Sequence, residues 1–242
     1  MEPTKLIYDS PKKMAEAYSV HILNIVNKTL KSHNFVNIAL SGGSTPTLIF
    51  DMLAEKYHDL IPWENLNFFW GDERCVPPDN DQSNYHSANM HLFEKLQGKK
   101  TNIFRIMGES GITREMFRYS GLLKNTLKQK NGYPAFDLIM LGMGDDGHTA
   151  SIFPKDIDLI ESEELVAHTT HPENGQDRIT LTGNVLNNAE NVAFHVTGAK
   201  KASKVAEILD HKGSHAQYPA AGINPKNGRL FWFLDKEAAS EL

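Results

Sequence analysis

The 242-residue chain has a formal net charge of −5, with 40% hydrophobic and 23% charged residues, which is typical of a soluble globular protein. It has no cluster of five or more lysines and arginines, so neither nucleic acid nor an anionic membrane surface is an expected partner. The first residues lack the apolar core of a signal peptide, and no apolar run approaches the roughly 20 residues that span a bilayer. The single cysteine, Cys75, excludes an intrachain disulfide. We therefore expect a cytoplasmic protein, monomeric or homodimeric, that forms a single domain over residues 1–242 and acts on a small molecule.

Apolar runs alternate with amphipathic segments along the chain. The spacing of apolar residues predicts helices over 11–32, over "PTLIFDMLAEKY", near 84–95, over 113–130 and in "KKASKVAEIL". Buried strands are predicted at "FVNIAL", "NLNFFW", "NIFRI", "FDLIML", "LVAHT", "RITLT", "NVAFHVT" and "LFWFL". This alternation predicts a three-layer α/β fold, a mostly parallel sheet with helices on both faces. In such sheets, ligands bind beyond the carboxyl ends of the strands, where three polar loops are expected.

The first of these loops is "SGGST", which joins a predicted strand to a predicted helix. Its residues are Ser41, Gly42, Gly43, Ser44 and Thr45. Paired glycines let a ligand approach the backbone, and a helix N-terminus favours an anion, so a phosphate or sugar phosphate is the expected ligand. The spacing and lysine of a Walker A loop are absent. Taken alone, the stretch is better explained as a tight turn, with Ser44 or Thr45 as the N-cap and Pro46 as the first helical residue.

The second loop, "WGDERC", contains Asp72, Glu73 and Arg74. An arginine at a strand end is suited to clamp a phosphate through its fork of donors. The alternative is a solvated loop with local ion pairs, which is favoured when the stretch is taken alone. Cys75 has no histidine or asparagine at a spacing typical of a cysteine hydrolase, so we interpret it as a small buried residue.

The third loop, "LGMGDDGHTASIFP", contains a G-x-G-x-x-G pattern and His148. A dinucleotide-binding loop opens a long helix and is followed about 20 residues later by an acid at the end of the next strand. Here Pro154 interrupts the segment, and the next acids precede an apolar run rather than end it. We therefore predict a catalytic loop, in which Asp145 or Asp146 orients His148 as a general base. The alternative is that His148 only caps the following turn.

Basic residues outside these loops complete the predicted site. Arg178 lies at the start of a predicted strand, and Lys200 and Lys201 lie at the start of a predicted helix, where a lysine is better explained if it faces a bound anion. No metal site is expected, because there is no H-E-x-x-H motif and "HTTH" lies in a polar connection without companion cysteines.

Five stretches together resemble the glucosamine-6-phosphate isomerase/6-phosphogluconolactonase family. They are "NIALSGGSTP", "FFWGDERCVPPDNDQSNY", "FDLIMLGMGDDGHTASIFP", "RITLT" and "TGAKKA", in the family's order and over about 35–235. The form "GDDGHTASIFP" is similar to the lactonase branch of the family, because the deaminase branch continues differently after its histidine.

The resemblance implies a ribose-phosphate isomerase-like α/β fold, hydrolysis of 6-phospho-D-glucono-1,5-lactone to 6-phosphogluconate, and no metal or organic cofactor. By motif position, it implies a site made of His148, Asp146 and Asp72, the loop from Ser41 to Thr45, Arg74, Arg178 and Lys201. Lys201 matches the motif better than Lys200, because Ala202 follows it. Two alternatives stay open: an amino-sugar phosphate isomerase/deaminase, and a non-catalytic sugar-phosphate binding protein.

Overall fold

A seven-stranded parallel sheet forms the centre of the computed structural model, which describes residues 2–242. The strands in chain order are β1 (Thr4–Tyr8), β2 (Val36–Leu40), β3 (Leu66–Trp70), β4 (Asp72–Arg74), β5 (Asn102–Ile103), β6 (Lys128–Lys130), β7 (Tyr133–Ala135), β8 (Leu138–Leu141), β9 (Val166–Thr170), β10 (Asp177–Leu181), β11 (Asn191–Val196) and β12 (Arg229–Asp235). The order in the main sheet is β1-β12-β11-β8-β2-β3-β5, and every pairing in it is parallel.

Helices flank this sheet. The α-helices are α1 (Pro11–Thr29), α2 (Ser44–Lys56), α3 (Asn84–His91), α4 (Ile112–Thr126), α5 (Gly183–Leu186) and α6 (Ala202–Leu209). Short 3-10 helices span Trp63–Asn65, Phe93–Lys95, Gly108–Ser110, Pro154–Ile160, Ala199–Lys201, His215–Gln217 and Pro219–Gly222. Every residue of β3, β8 and β11 is buried, as expected for apolar strands covered on both faces, which confirms the predicted fold class. Across residues 2–242, none of the helices has both the length and the apolar character needed to cross a bilayer.

Two predicted strands belong to a different sheet from the one expected. β9 and β10 pair antiparallel with each other, and β10 pairs antiparallel with β4, which forms a second sheet with the order β4-β10-β9. The connection between β9 and β10 is too short for the helical crossover that parallel strands need, so a hairpin forms instead. β1 was not predicted, because this edge strand is mostly exposed and has no continuous apolar run.

The start of α2 also differs from the prediction. The helix begins at Ser44, Gly43 is its N-cap, and no side chain caps it, so Ser44 and Thr45 are not caps and Pro46 is the third helical residue. The difference follows from the positive φ of Gly43, which turns the chain into the helix one residue earlier than a serine cap would. Among residues 2–242, no side chain therefore accepts from the first N–H groups of α2, which lie at the carboxyl edge of the sheet.

The predicted helix over 113–130 was also too long. α4 ends at Thr126, and the chain continues into the β6–β7 hairpin.

Sheet register brings the polar loops together. Leu40 pairs with Trp70 and Phe194 pairs with Leu141, so β2, β3, β8 and β11 end at the same edge of the sheet. Gly71 N donates to Leu40 O at 2.9 Å, which joins the first two loops directly. The three loops that sequence analysis singled out therefore meet where an α/β sheet binds its ligand.

Candidate active site

A cavity of about 280 Å³ lies at this edge of the sheet. It is lined by every predicted site residue except Asp146, namely Ser41, Gly42, Gly43, Ser44, Thr45, Asp72, Arg74, His148, Arg178 and Lys201. Asp146 lies beside the cavity and contacts His148. The structure thus brings the whole predicted set together.

His148 and Asp146 form a close pair. His148 Nδ1 lies 2.6 Å from Asp146 Oδ1, and the same oxygen accepts a 3.1 Å hydrogen bond from the His148 backbone N–H. Burial raises the pKa of Asp146, but the hydrogen bond and charge of His148 outweigh it and lower this pKa to about 2. An ionised Asp146 keeps the ring proton on Nδ1, which leaves Nε2 as the proton acceptor.

The loop holds His148 through its own backbone. Gly144 N donates to His148 O at 2.9 Å, and Thr149 Oγ1 donates to Gly142 O at 2.9 Å. A Cβ at Gly144 would overlap the His148 ring, so this glycine is required by close packing rather than by a dinucleotide. The segment is followed by the 3-10 helix Pro154–Ile160 rather than by a long α-helix, in line with the catalytic-loop interpretation.

Two arginines that line the cavity, Arg74 and Arg178, have no carboxylate partner among residues 2–242. Arg178 is 8% exposed, and no carboxylate of residues 2–242 lies within 4 Å of it. The Nε atoms of Arg178 and Arg74 are both buried and have no hydrogen-bond partner among residues 2–242. Burial lowers the pKa of Arg178, and the charge of Arg74 adds to this effect. Because a buried, unpaired guanidinium is unfavourable, an anionic ligand is its natural partner.

Of the two lysines that the sequence singled out, Lys201 lines the cavity and Lys200 does not. Lys201 Nζ forms an ion pair with Asp145 Oδ1. The hydrogen bond and charge of Lys201 lower the pKa of Asp145. The two aspartates of the loop are therefore used differently, since Asp146 contacts the histidine and Asp145 contacts the lysine.

The loop around Asp72 is buried, so its interpretation as a solvated loop is wrong. Asp72 is 5% exposed; its Oδ2 accepts from Ser151 Oγ at 2.6 Å and its Oδ1 from Asn84 Nδ2 at 3.3 Å. Glu73 is also buried and accepts from the backbone N–H groups of Asn84 and Tyr85, which fixes the N-terminus of α3 against β4. Burial raises the pKa of Glu73.

Sequence analysis missed three residues at this site. Asn84 and Ser151 hold Asp72, and both lie within stretches that carried the family resemblance. His195 lines the cavity from β11, where a single histidine in an apolar strand gave no signal of its own.

Two other kinds of reactive group are the thiol of Cys75 and side chains that could bind a metal ion. Burial raises the pKa of the Cys75 thiol to about 11, and the charges of Asp177 and Glu73 add to this effect, so the thiol is protonated at neutral pH. Within residues 2–242, no three or more histidine, cysteine, aspartate or glutamate side chains are grouped so that they could hold a metal ion.

A cavity at the carboxyl edge of a parallel sheet, lined by a carboxylate-bound histidine and by basic side chains, is typical of an α/β enzyme with an anionic substrate. The family model described as glucosamine-6-phosphate isomerases/6-phosphogluconolactonase matches residues 9–232. The chain belongs to this family.

Individual relatives agree with the lactonase branch. The chain is 44% identical over 204 residues to a 6-phosphogluconolactonase of Haemophilus influenzae, covering 84% of this chain and 86% of the relative. It is 38% identical over 205 residues to a 6-phosphogluconolactonase of Treponema pallidum, covering 85% and 84%. The solved 6-phosphogluconolactonase from Trypanosoma brucei superposes with a TM-score of 0.87 at 29% identity, covering 100% of this chain and 99% of that one. These comparisons confirm the resemblance that the sequence motifs indicated.

Proposed function

We propose that the protein hydrolyses 6-phospho-D-glucono-1,5-lactone to 6-phospho-D-gluconate, the second step of the oxidative pentose phosphate route. The observation that carries the proposal is the presence, in one cavity, of a His148–Asp146 dyad, the buried Arg178 and the half-buried Arg74, neither arginine having a carboxylate partner among residues 2–242. The similarity to lactonases at 38% and 44% identity supports this substrate.

The phosphate group binds at the cationic side of the cavity. The free N–H groups at the start of α2 and the guanidinium groups of Arg74 and Arg178 are donors for its oxygens. Lys201 adds a further positive charge and exchanges part of its contact with Asp145 for one with the phosphate. This anchor fixes the far end of the substrate, so that the lactone carbonyl lies near His148.

His148 acts as the general base. Its Nε2 accepts a proton from a water molecule as the water oxygen attacks the lactone carbonyl carbon. The bond from this carbon to the ring oxygen then breaks, and the imidazolium returns the proton to the ring oxygen, which becomes a hydroxyl group. Asp146 stabilises the imidazolium between these two steps.

Asp72 is the alternative base and is less suited to this role. Ser151 and Asn84 both donate to its carboxylate, so both of its oxygens are already engaged as hydrogen-bond acceptors. We assign it the role of a fixed acceptor that helps to orient the substrate at the cavity wall.

A coupled assay with freshly generated lactone tests the proposal, with spontaneous hydrolysis subtracted. We expect a large rate above the enzyme-free background. Ammonia release from glucosamine 6-phosphate would instead indicate an isomerase/deaminase. Binding of 6-phosphogluconate with no rate above background would indicate a non-catalytic binding protein.

A further inference from the structure

His195 is a histidine of β11 whose two ring nitrogens are buried and have no hydrogen-bond partner among residues 2–242. The residue is 2% exposed, yet it is one of the residues that line the cavity. Buried polar groups in folded proteins are nearly always paired, so an unpaired imidazole facing a cavity needs a partner from outside the protein.

The absence of a side chain at Gly142 leaves a gap in front of this ring. A Cβ on Gly142 would lie 3.8 Å from His195 Nε2 and 3.8 Å from Ser41 Oγ. Gly142 directly follows β8, which lies between β11 and β2 in the sheet. His195 of β11 therefore approaches the gap from one side, and Ser41, which follows β2, approaches it from the other. The only hydrogen bond of Ser41 Oγ within the described part of the chain is a long one, 3.3 Å to Gly42 O.

The imidazole of His195 is neutral under ordinary conditions, because burial lowers its pKa to about 3. A neutral ring offers one N–H donor and one nitrogen acceptor. The ring of Tyr18 packs edge-on at 5.6 Å, and its hydroxyl is engaged with Ala193 O at 2.8 Å. A donor and acceptor without charge suits a hydroxyl group better than a phosphate.

We propose that the gap beside Gly142 is a hydroxyl subsite, in which His195 Nε2 and Ser41 Oγ hydrogen-bond to one hydroxyl group of the substrate's sugar carbon chain. The proposal rests on the proposed function, which places this carbon chain between loop 41–45 and the His148 loop, and residues of both loops line the cavity. A hydroxyl group donates and accepts at once, which matches the two partners.

Calorimetric titration of two ligands, 6-phospho-D-gluconate and inorganic phosphate, tests the subsite. Gly142→Ala fills the gap without a clash, because its nearest neighbours lie at ordinary contact distance. His195→Leu removes the ring nitrogens, and His195→Gln keeps a donor and an acceptor. We expect the first two variants to bind 6-phosphogluconate about two- to tenfold more weakly, as for the loss of one neutral hydrogen bond. We expect unchanged phosphate affinity in both, and recovery of 6-phosphogluconate affinity in His195→Gln.

Two outcomes would overturn the subsite. Unchanged affinity for 6-phosphogluconate in Gly142→Ala would mean that only solvent uses the gap. An equal loss for both ligands would place the effect at the phosphate loop. Wild-type protein without lactonase activity would refute the proposed function, whereas an active wild type with either of these outcomes would refute the subsite alone. Gly142→Ala tests the hydroxyl subsite even if His195→Leu does not fold.

Discussion

Replacement of Arg178 by methionine should change stability and ligand affinity in opposite directions. The side chain is 8% exposed, and its Nε has no partner in residues 2–242. Burial of an uncompensated ion costs several kcal/mol, and the nearby charges of Asp72 and Glu73 offset part of this cost. Methionine keeps a similar length and removes the charge. We therefore expect the free energy of unfolding to rise by about 1–3 kcal/mol in phosphate-free buffer, or roughly 2–4 °C in melting temperature per kcal/mol.

The same substitution should weaken phosphate binding. A hydrogen bond to a charged group contributes roughly 1.5–3 kcal/mol, which corresponds to about a 10- to 150-fold loss of affinity. Thermal denaturation and calorimetry with inorganic phosphate measure the two effects on the same sample. Arg114→Met is the matched control, because Arg114 is an exposed residue of α4 away from the cavity. Arg114→Met should change neither the free energy of unfolding nor the affinity for phosphate appreciably.

Two results would refute this reasoning. Normal phosphate affinity in Arg178→Met would remove the residue from the anion site. A stability loss similar to that of an ordinary core truncation would mean that the guanidinium is well paired in the free protein.

Three further predictions concern the loops and the buried histidines. Asp145→Asn should lower the Michaelis constant by at most about fivefold, because Asp145, whose side chain is 65% exposed, no longer competes with the phosphate for Lys201; a higher constant would contradict this. Gly43→Ala should destabilise the protein by about 1–2 kcal/mol in urea denaturation, because its φ of 106° disfavours any Cβ although the space is open; an unchanged midpoint would contradict this. Burial lowers the pKa of His195 to about 3, and burial with the charge of Arg229 lowers that of His21 to about 4. Since the unfolded chain then binds more protons, the free energy of unfolding should fall from about pH 6.5 towards pH 4, by up to about 1.4 kcal/mol per pH unit for each histidine. Urea denaturation across this range should show that the free energy of unfolding depends less steeply on pH in His195→Leu than in the wild type. An identical dependence on pH would contradict the assignment.

Local patterns predicted the main sheet well, because its strands are buried on both faces and appear as apolar runs. β3 and β8 are examples, and the polar loops that follow them were placed correctly at the carboxyl edge. The second sheet was not predicted, because the pairing of β4 with β10 joins segments about 100 residues apart. The hydrophobic periodicity within either segment does not indicate such a pairing.

The features of the site also differ in how far the sequence predicted them. The glycines and His148 form short motifs, so the sequence indicated them directly. The loop residues alone left open which aspartate holds the histidine, and only the family resemblance implied Asp146, because Asp145 and Asp146 are adjacent and the fold of the loop separates their contacts. The missing partner of Arg178 and the gap beside Gly142 are properties of packing, which the sequence does not express.

The most direct test of the central claim is the rate of lactone hydrolysis by His148→Asn, followed across pH after subtraction of the spontaneous reaction. His168→Asn is the matched control, because His168 forms a similar 2.7 Å contact with Asp177 outside the cavity. We predict that His148→Asn lowers turnover by about 10²–10⁴-fold with little change in affinity for 6-phosphogluconate, while His168→Asn stays near wild type. Near-normal turnover of His148→Asn across this range of pH would contradict the account and point to Asp72 as the base.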